Sequence, residues 1–357
     1  MSGDAPGPFL RGAAWPGTDA VPYPRADPAD ADRLPADTWA TATIPVGVRL
    51  ELVGDARAIE VDHTCATTEL GYRGAAAGTT FTAWRGDELL DERPAVVPGG
   101  TVRLALAGGP GARGAGARAR EPGAGVVTVH LPEGLRPRIT AVRAAGGGTI
   151  EPAPPGPRWL CYGDSIAEGW ASTGPGRAWP ALAARRHGLD VVNLGYAGAA
   201  RGEVASAEQL AARPADALSI SHGTNCWARI PHSADQVAAG MSAFLEIVRQ
   251  GHPGAPVVVA SPVVRPDAES TPNRLGATLA DLRAAIEGAV EARIAAGDRR
   301  LTLVRGGPLL GAGDLVDGIH PGDAGHAKLA EAIGGAVAAA IAGEARAARA
   351  PAPGGPA

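Results

Sequence analysis

A serine hydroxyl is a poor nucleophile until a neighbour takes its proton, so the residues to examine first are those able to supply that help. The stretch RWLCYGDSIAEGW, Arg158 to Trp170, places Ser165 just after a short apolar run. It has two readings. Ser165-Ile166-Ala167-Glu168 fits the S-x-x-E capping box, in which a serine hydroxyl and a glutamate carboxylate satisfy orphan backbone donors at a helix start. As a nucleophile, Ser165 would instead need a base in hydrogen-bond reach and a third group to hold that base's tautomer. Among eight histidines, most of them expected at the surface, His320 differs from the rest. In DGIHP, Asp317 precedes it by three residues in a Gly/Pro-punctuated loop, where a carboxylate can turn back onto Nδ1 and leave Nε2 free.

Acyl transfer also requires fixed, neutral donors aimed at a developing oxyanion. Gly198 in NLGYAG offers an unobstructed backbone N–H, and Asn225 in HGTN offers a side-chain amide. Singly, each reads equally well as a turn residue. A second D-x-x-H interval, Asp323 to His326, opens the helical composition DAGHAKLAEAI and is expected to be a surface pair. Pro321 disfavours helical geometry at His320, which suits a side chain reaching toward a serine across the end of a sheet.

These residues must be held by strands and helices, and the chain changes grammar midway. Up to about residue 150 it alternates in short runs, VRLELVG, AIEVDHT, TTFTAW, TVRLAL and VVTVHL, with Gly, Pro and Asp between them. In the first, Val48, Leu50 and Leu52 point inward while Arg49 and Glu51 point outward. The expectation for 1–150 is an accessory, jelly-roll-like β-sandwich. Gly109-x-Gly111-x-x-Gly114 nominally matches a dinucleotide fingerprint, but no apolar-periodic helix follows it, and the stretch reads as a flexible loop. EPAPPGP, 151–157, reads as a stiff linker.

From 158 to 343, WLCY, DVVNLG, ALSIS, PVVVAS and LTLV alternate with helical segments, the order that builds a parallel sheet covered on both faces. Val237, Met241, Phe244, Leu245 and Val248 make an apolar stripe after a Ser233-x-x-Gln236 capping box; Leu275 to Ile294 repeats the pattern through Leu279, Leu282 and Ile286. In such sheets ligands sit beyond the carboxyl ends of the strands. GDSIAEG, YAGAARG, HGTNCW, PVVRPDAE and DLVDGIHPGDAGH follow the strands in turn, so the candidate residues all fall at that end. Residues 344–357 read as a flexible tail.

The order of these motifs, Gly-Asp-Ser, then a glycine, then Gly-x-Asn, then Asp-x-x-His-Pro, resembles the SGNH hydrolase superfamily, also called GDSL esterases. The resemblance covers roughly Arg158 to Gly343. It implies a three-layer α/β/α, flavodoxin-like domain, Ser165 as nucleophile, His320 as general base and Asp317 as its orienting carboxylate. It further implies an oxyanion hole from the Ser165 and Gly198 N–H groups and the Asn225 amide. Cys226 stands where many members carry aspartate, which leaves the Asn225 donor intact. The two-part layout is similar to GDSL acyltransferases of tetracycline-type polyketide tailoring and to two-domain bacterial carbohydrate esterases. Expected partners are a small acyl ester or acyl donor and, for transfer, an alcohol acceptor. Trp170, Trp227 and Arg265 are candidate substrate-binding residues, and Trp179 lies near the same loops.

Composition narrows the remaining classes. Hydrophobic residues at 45% and charged residues at 20% describe a globular protein, and a net charge of −4 argues against nucleic acid or an anionic membrane as the main partner. No window reaches the roughly 18 apolar residues of a membrane span. Cys65, Cys161 and Cys226 lie too far apart for a C-x-x-C metal site or a paired framework. The expectation is a cytoplasmic enzyme without metal or nucleotide cofactor.

Overall fold

The computed structural model describes residues 4–67, 78–106 and 125–349; the Gly109–Gly114 stretch lies outside them. Period-two alternation in the first half builds β1 (Leu10–Arg11), β2 (Arg49–Gly54), β3 (Ala58–Cys65), β4 (Thr80–Arg85), β5 (Glu88–Pro94), β6 (Gly99–Ala105), β7 (Val127–His130), β8 (Pro137–Ala145) and β9 (Ile150–Pro152). One antiparallel sheet runs β1-β2-β7-β4-β5 with β9 also on β2, and a second runs β6-β3-β8. Their apolar faces share one core, in which Leu50, Phe81 and Val129 of the first sheet pack with Ile59, Leu104 and Val142 of the second.

The second half builds β10 (Arg158–Gly163), β11 (Asp190–Gly195), β12 (Ala217–Ser221), β13 (Val257–Ala260) and β14 (Leu301–Val304). They pair in parallel in the order β11-β10-β12-β13-β14, the flavodoxin-like arrangement whose switch point lies between β10 and β12. Strand side chains alternate between two cores. Leu160 and Tyr162 join Met241, Phe244 and Ile286 on one face; Trp159 and Cys161 join Trp179, Leu182 and Ile333 on the other.

The helices are α1 (Ala36–Ala42), α2 (Ser165–Glu168), α3 (Trp179–His187), α4 (Val204–Ala212), α5 (Ala234–Gly251), α6 (Leu279–Ala295), α7 (Asp323–Leu329) and α8 (Gly335–Arg349). The Ser233/Gln236 capping box opens α5, whose expected stripe is buried. Helix α6 starts later than its pattern suggested. Thr278 caps it with Asp281, which leaves Leu275 exposed in the preceding loop. Helix α8 runs on to Arg349, past the expected end at 343, and Glu344 on it pairs with Arg300. Among the described residues no helix is long and apolar enough to cross a membrane.

The boundary between the halves differs from the linear reading. Arg49 points away from the β core but not into water: only 2% exposed, it donates to Val191 O at 2.8 Å and pairs with Asp190. His130 on β7 likewise meets Arg185 of α3 at 3.1 Å. The start of the Pro-rich stretch is part of a sheet, since β9 pairs with β2 and the Ala153 N–H donates to Glu51 O. Most unlike a linear division, Ala14, Trp15, Ala26, Leu34 and Ala42 belong to the core of the α/β half. The chain leaves the antiparallel sheets after β1, crosses that neighbour, and returns at β2.

Candidate active site

Strand β10 ends at Gly163, and the turn into α2 presents Ser165 at the carboxyl end of the sheet. The capping-box reading is corrected here. Asp164 is the cap, accepting the Ile166 N–H at 2.9 Å, and Ser165 is the first helical residue. Its side chain is thereby free for another partner. Ser165 Oγ lies 2.8 Å from His320 Nε2, and His320 Nδ1 lies 2.7 Å from Asp317 Oδ2. A carboxylate only accepts, so Nδ1 carries the proton and a neutral ring leaves Nε2 to accept the serine hydroxyl.

The loop that supplies the histidine is a tight hairpin. Leu315 bridges Pro321, the Val316 N–H donates to His320 O at 2.8 Å, and Gly318 turns the chain at φ +80°. The other carboxylate oxygen of Asp317 accepts the backbone N–H groups of Ile319 and His320 at 3.0 and 2.7 Å. Desolvation raises the Asp317 pKa, but the hydrogen bonds from the His320 ring and these N–H groups outweigh it and bring the carboxyl down to about 2. The carboxylate beside the His320 ring is therefore ionised at any ordinary pH.

The other predicted donors stand in the neighbouring loops. Tyr196 O accepts the Ala199 N–H at 3.1 Å across a turn with Gly198 at φ +69°, the backbone of a type II turn that only glycine adopts readily. The Gly198 N–H meets no acceptor among the described residues. After β12, Asn225 spends one amide hydrogen on Ala200 O at 3.2 Å, which anchors it to the Gly198 loop and leaves a second donor available. Cys226 is buried against Arg201 O, and burial pushes its thiol up to about 12, so it stays a neutral thiol.

Of the candidate substrate residues, Trp170 lies against the site, its ring 5.4 Å from that of His320. Trp227 and Arg265 form a separate stack, with the guanidinium 5.0 Å from the ring and held by Asp267. Trp179 is a core residue, 1% exposed. The expectation of mostly surface histidines fails. His63, His130, His222, His252 and His326 are buried. His326 and Asp323 are no surface pair: the ring bonds Trp170 O at 3.0 Å and accepts the Trp179 N–H, while Asp323 binds Thr173. Helix α7 turns that face inward, onto the loop behind Ser165, a packing choice that composition does not record.

Sequence reasoning passed over Asp164, although an Asx residue one place before a helical run is the ordinary sign of a cap. Asp164 lines a small cavity with Ser221, His222, Ser261, Val263, Leu329 and Ile333. Burial raises its pKa to about 6 against the pull of the Ile166 N–H and of His320. Burial also lowers His222 to about 4, so that ring is neutral. Among the described residues no group of His, Cys, Asp or Glu is placed to hold a metal ion.

A parallel sheet in this order, with a serine after its first strand and a D-x-x-H loop near its end, defines an SGNH-type hydrolase or acyltransferase. Residues 161–328 match the GDSL-like lipase/acylhydrolase family. Among solved structures, it is similar to the salicylyl-acyltransferase SsfX3 from a tetracycline biosynthetic pathway, at 27% identity and TM-score 0.75, over 93% of this chain and 95% of that one. A GDSL-like lipase from Bacteroides ovatus matches at 19% identity and TM-score 0.75, over 96% and 98% of the two chains. A family two carbohydrate esterase from Clostridium thermocellum, in complex with cellohexaose, shares the fold at 14% identity and TM-score 0.60, over 83% and 93%. No curated protein sequence matches the chain.

Proposed function

We propose that the protein is a serine esterase that works through an acyl-enzyme. The observation that carries this is the hydrogen-bonded chain Ser165 Oγ, His320 Nε2, His320 Nδ1, Asp317 Oδ2, at 2.8 and 2.7 Å. Ser165 attacks the carbonyl of a small ester while His320 takes its proton, and the Asp317 carboxylate stabilises the imidazolium that forms. The N–H groups of Ser165 and Gly198 and the free amide hydrogen of Asn225 receive the oxyanion. His320 then returns its proton to the leaving alcohol. Water, activated by the same ring, releases the acid.

A second reading replaces water with an alcohol acceptor such as a polyketide or a sugar. It is favoured by the likeness to a salicylyl-acyltransferase along nearly the whole chain. Trp170, beside the His320 ring, is then a wall of the acceptor site, and Trp227 with Arg265 an outer part of it. The unpaired Cys65, Cys161 and Cys226 suit a reducing, cytoplasmic setting.

The test is labelling with a fluorophosphonate, followed by turnover of p-nitrophenyl esters and acyl-CoA donors with and without added alcohols. The expected result is a Ser165 adduct that Ser165→Ala abolishes, with ester turnover lost in parallel. An unlabelled wild-type protein, or activity surviving in Ser165→Ala, refutes the proposal. Product partition toward the alcohol decides for transfer.

A further inference from the structure

One fully buried charged group near the site is left unused by the mechanism above. Glu168, at the end of α2, is 0% exposed, and its ion-pair partner Arg25 is 1% exposed. Glu168 Oε1 accepts Arg25 at 2.7 Å. Its Oε2 accepts the Ala197 N–H at 2.8 Å and the Trp170 indole N–H at 3.3 Å. One carboxylate thus holds the residue beside Gly198 and the ring that lies against His320.

Arg25 in turn grips the base of the same turn. It donates to Gly195 O, Ile44 O and Thr41 O, and its guanidinium lies 5.3 Å from the Tyr196 ring. The Tyr196 hydroxyl donates back to Arg25 O at 2.7 Å. Arg25 lies outside the stretch that matches the family, in the segment that crosses from the antiparallel sheets. A buried ion pair of this kind adds little to stability compared with apolar groups of the same shape. What it does add is direction, because a carboxylate with three fixed donors has no freedom to move the turn or the indole.

We propose that Glu168, its buried charge balanced by Arg25, is a positioning residue that aims the Gly198 N–H at the oxyanion and holds Trp170 against His320. This rests on the reading of Gly198 as an oxyanion donor. The N-terminal segment on this account supplies the counter-charge for that buried carboxylate.

Two double variants separate the hydrogen bond from the ion pair. Arg25→Met with Glu168→Gln removes both charges but keeps a side-chain oxygen for the Ala197 N–H. Arg25→Met with Glu168→Leu removes both charges and the oxygen. Each is compared with wild type by thermal unfolding and by the second-order rate of fluorophosphonate labelling at Ser165. The Gln pair is expected within about threefold of wild type, and the Leu pair about 10- to 100-fold slower, the cost of a misplaced group of about 1 Å. Equal rates in the two folded double variants, or losses that simply follow the melting temperature, overturn the proposal.

If the Leu pair does not fold, Ala197→Pro deletes the same N–H at a turn position that proline favours. It must reproduce the loss, and a wild-type rate there overturns the proposal. Asn225→Ala, run alongside, distinguishes the two levels of argument. A loss in that variant without one in the Leu pair refutes only the positioning role, whereas no loss in either refutes the oxyanion site itself.

Discussion

Asp164→Asn tests whether a buried carboxyl next to Ser165 costs the fold stability at neutral pH. Asp164 is 6% exposed and lines a small cavity with Ser221, His222, Ser261, Leu329 and Ile333, and burial moves its pKa from 3.8 to about 6. That difference corresponds to about 3 kcal/mol of extra preference for the neutral form in the folded protein. The sign follows from proton binding. Between about pH 4 and pH 6 the folded state holds a proton that the unfolded chain has already released, so stability falls as pH rises through this window. Below it the penalty is absent, and above it the penalty is complete. Asparagine keeps an oxygen for the Ile166 N–H and is neutral throughout. Urea unfolding of both proteins at a series of pH values should therefore show nearly equal stability at about pH 4. The gap should widen to about 3 kcal/mol in favour of asparagine by about pH 7. Groups that do not interact with Asp164 titrate alike in the two proteins and cancel from the difference. A gap that does not change with pH, or an asparagine variant that is the less stable at neutral pH, would sink the reasoning.

Asn225→Ala should lower kcat by about 10²- to 10³-fold, with little change in KM, as loss of one preorganised donor does; a change in KM alone would make Asn225 a binding residue. His320→Ala should remove ester turnover and Asp317→Asn should impair it strongly, the latter with a melting temperature close to wild type because the Asp317 side chain is half exposed. His326→Ala is expected to behave in the opposite way, losing about 2–4 kcal/mol of stability in urea melts because it leaves a buried hole and removes the hydrogen bond to Trp170 O. A fragment spanning 158–343 should fail to unfold cooperatively in circular dichroism melts. It lacks Arg25 and so leaves Glu168 buried and unpaired, at a cost of about 3–5 kcal/mol, and it lacks the Trp15 and Leu34 part of the core.

Local patterns in the sequence were sufficient for whatever depends on neighbours along the chain. The apolar runs of β10 to β14 and the capped stripe of α5 are legible because strand and helix periods are set by backbone geometry. The D-x-x-H turn is legible too, since Asp317, Gly318 and His320 interact across three residues and Pro321 excludes a helix. Short strands were harder to read. Strand β5 carries mostly exposed side chains, and β9 interrupts a Pro-rich stretch, so neither shows the alternation that marks a half-buried strand.

Tertiary structure alone decided the partners of charged and polar groups. Glu168 reads as half of a capping box because that motif is local; its real partner, Arg25, is 143 residues away. Arg49 reads as a solvated outward residue because alternation reports only which side of its own sheet a residue faces. That face is covered by Asp190 and Val191 of the other half. His326 was misplaced for the same reason, since helical composition cannot say which face of α7 packs inward. A segment can advertise its own period through its side chains, but the surface that will neutralise a charge belongs to another part of the chain and exists only after folding.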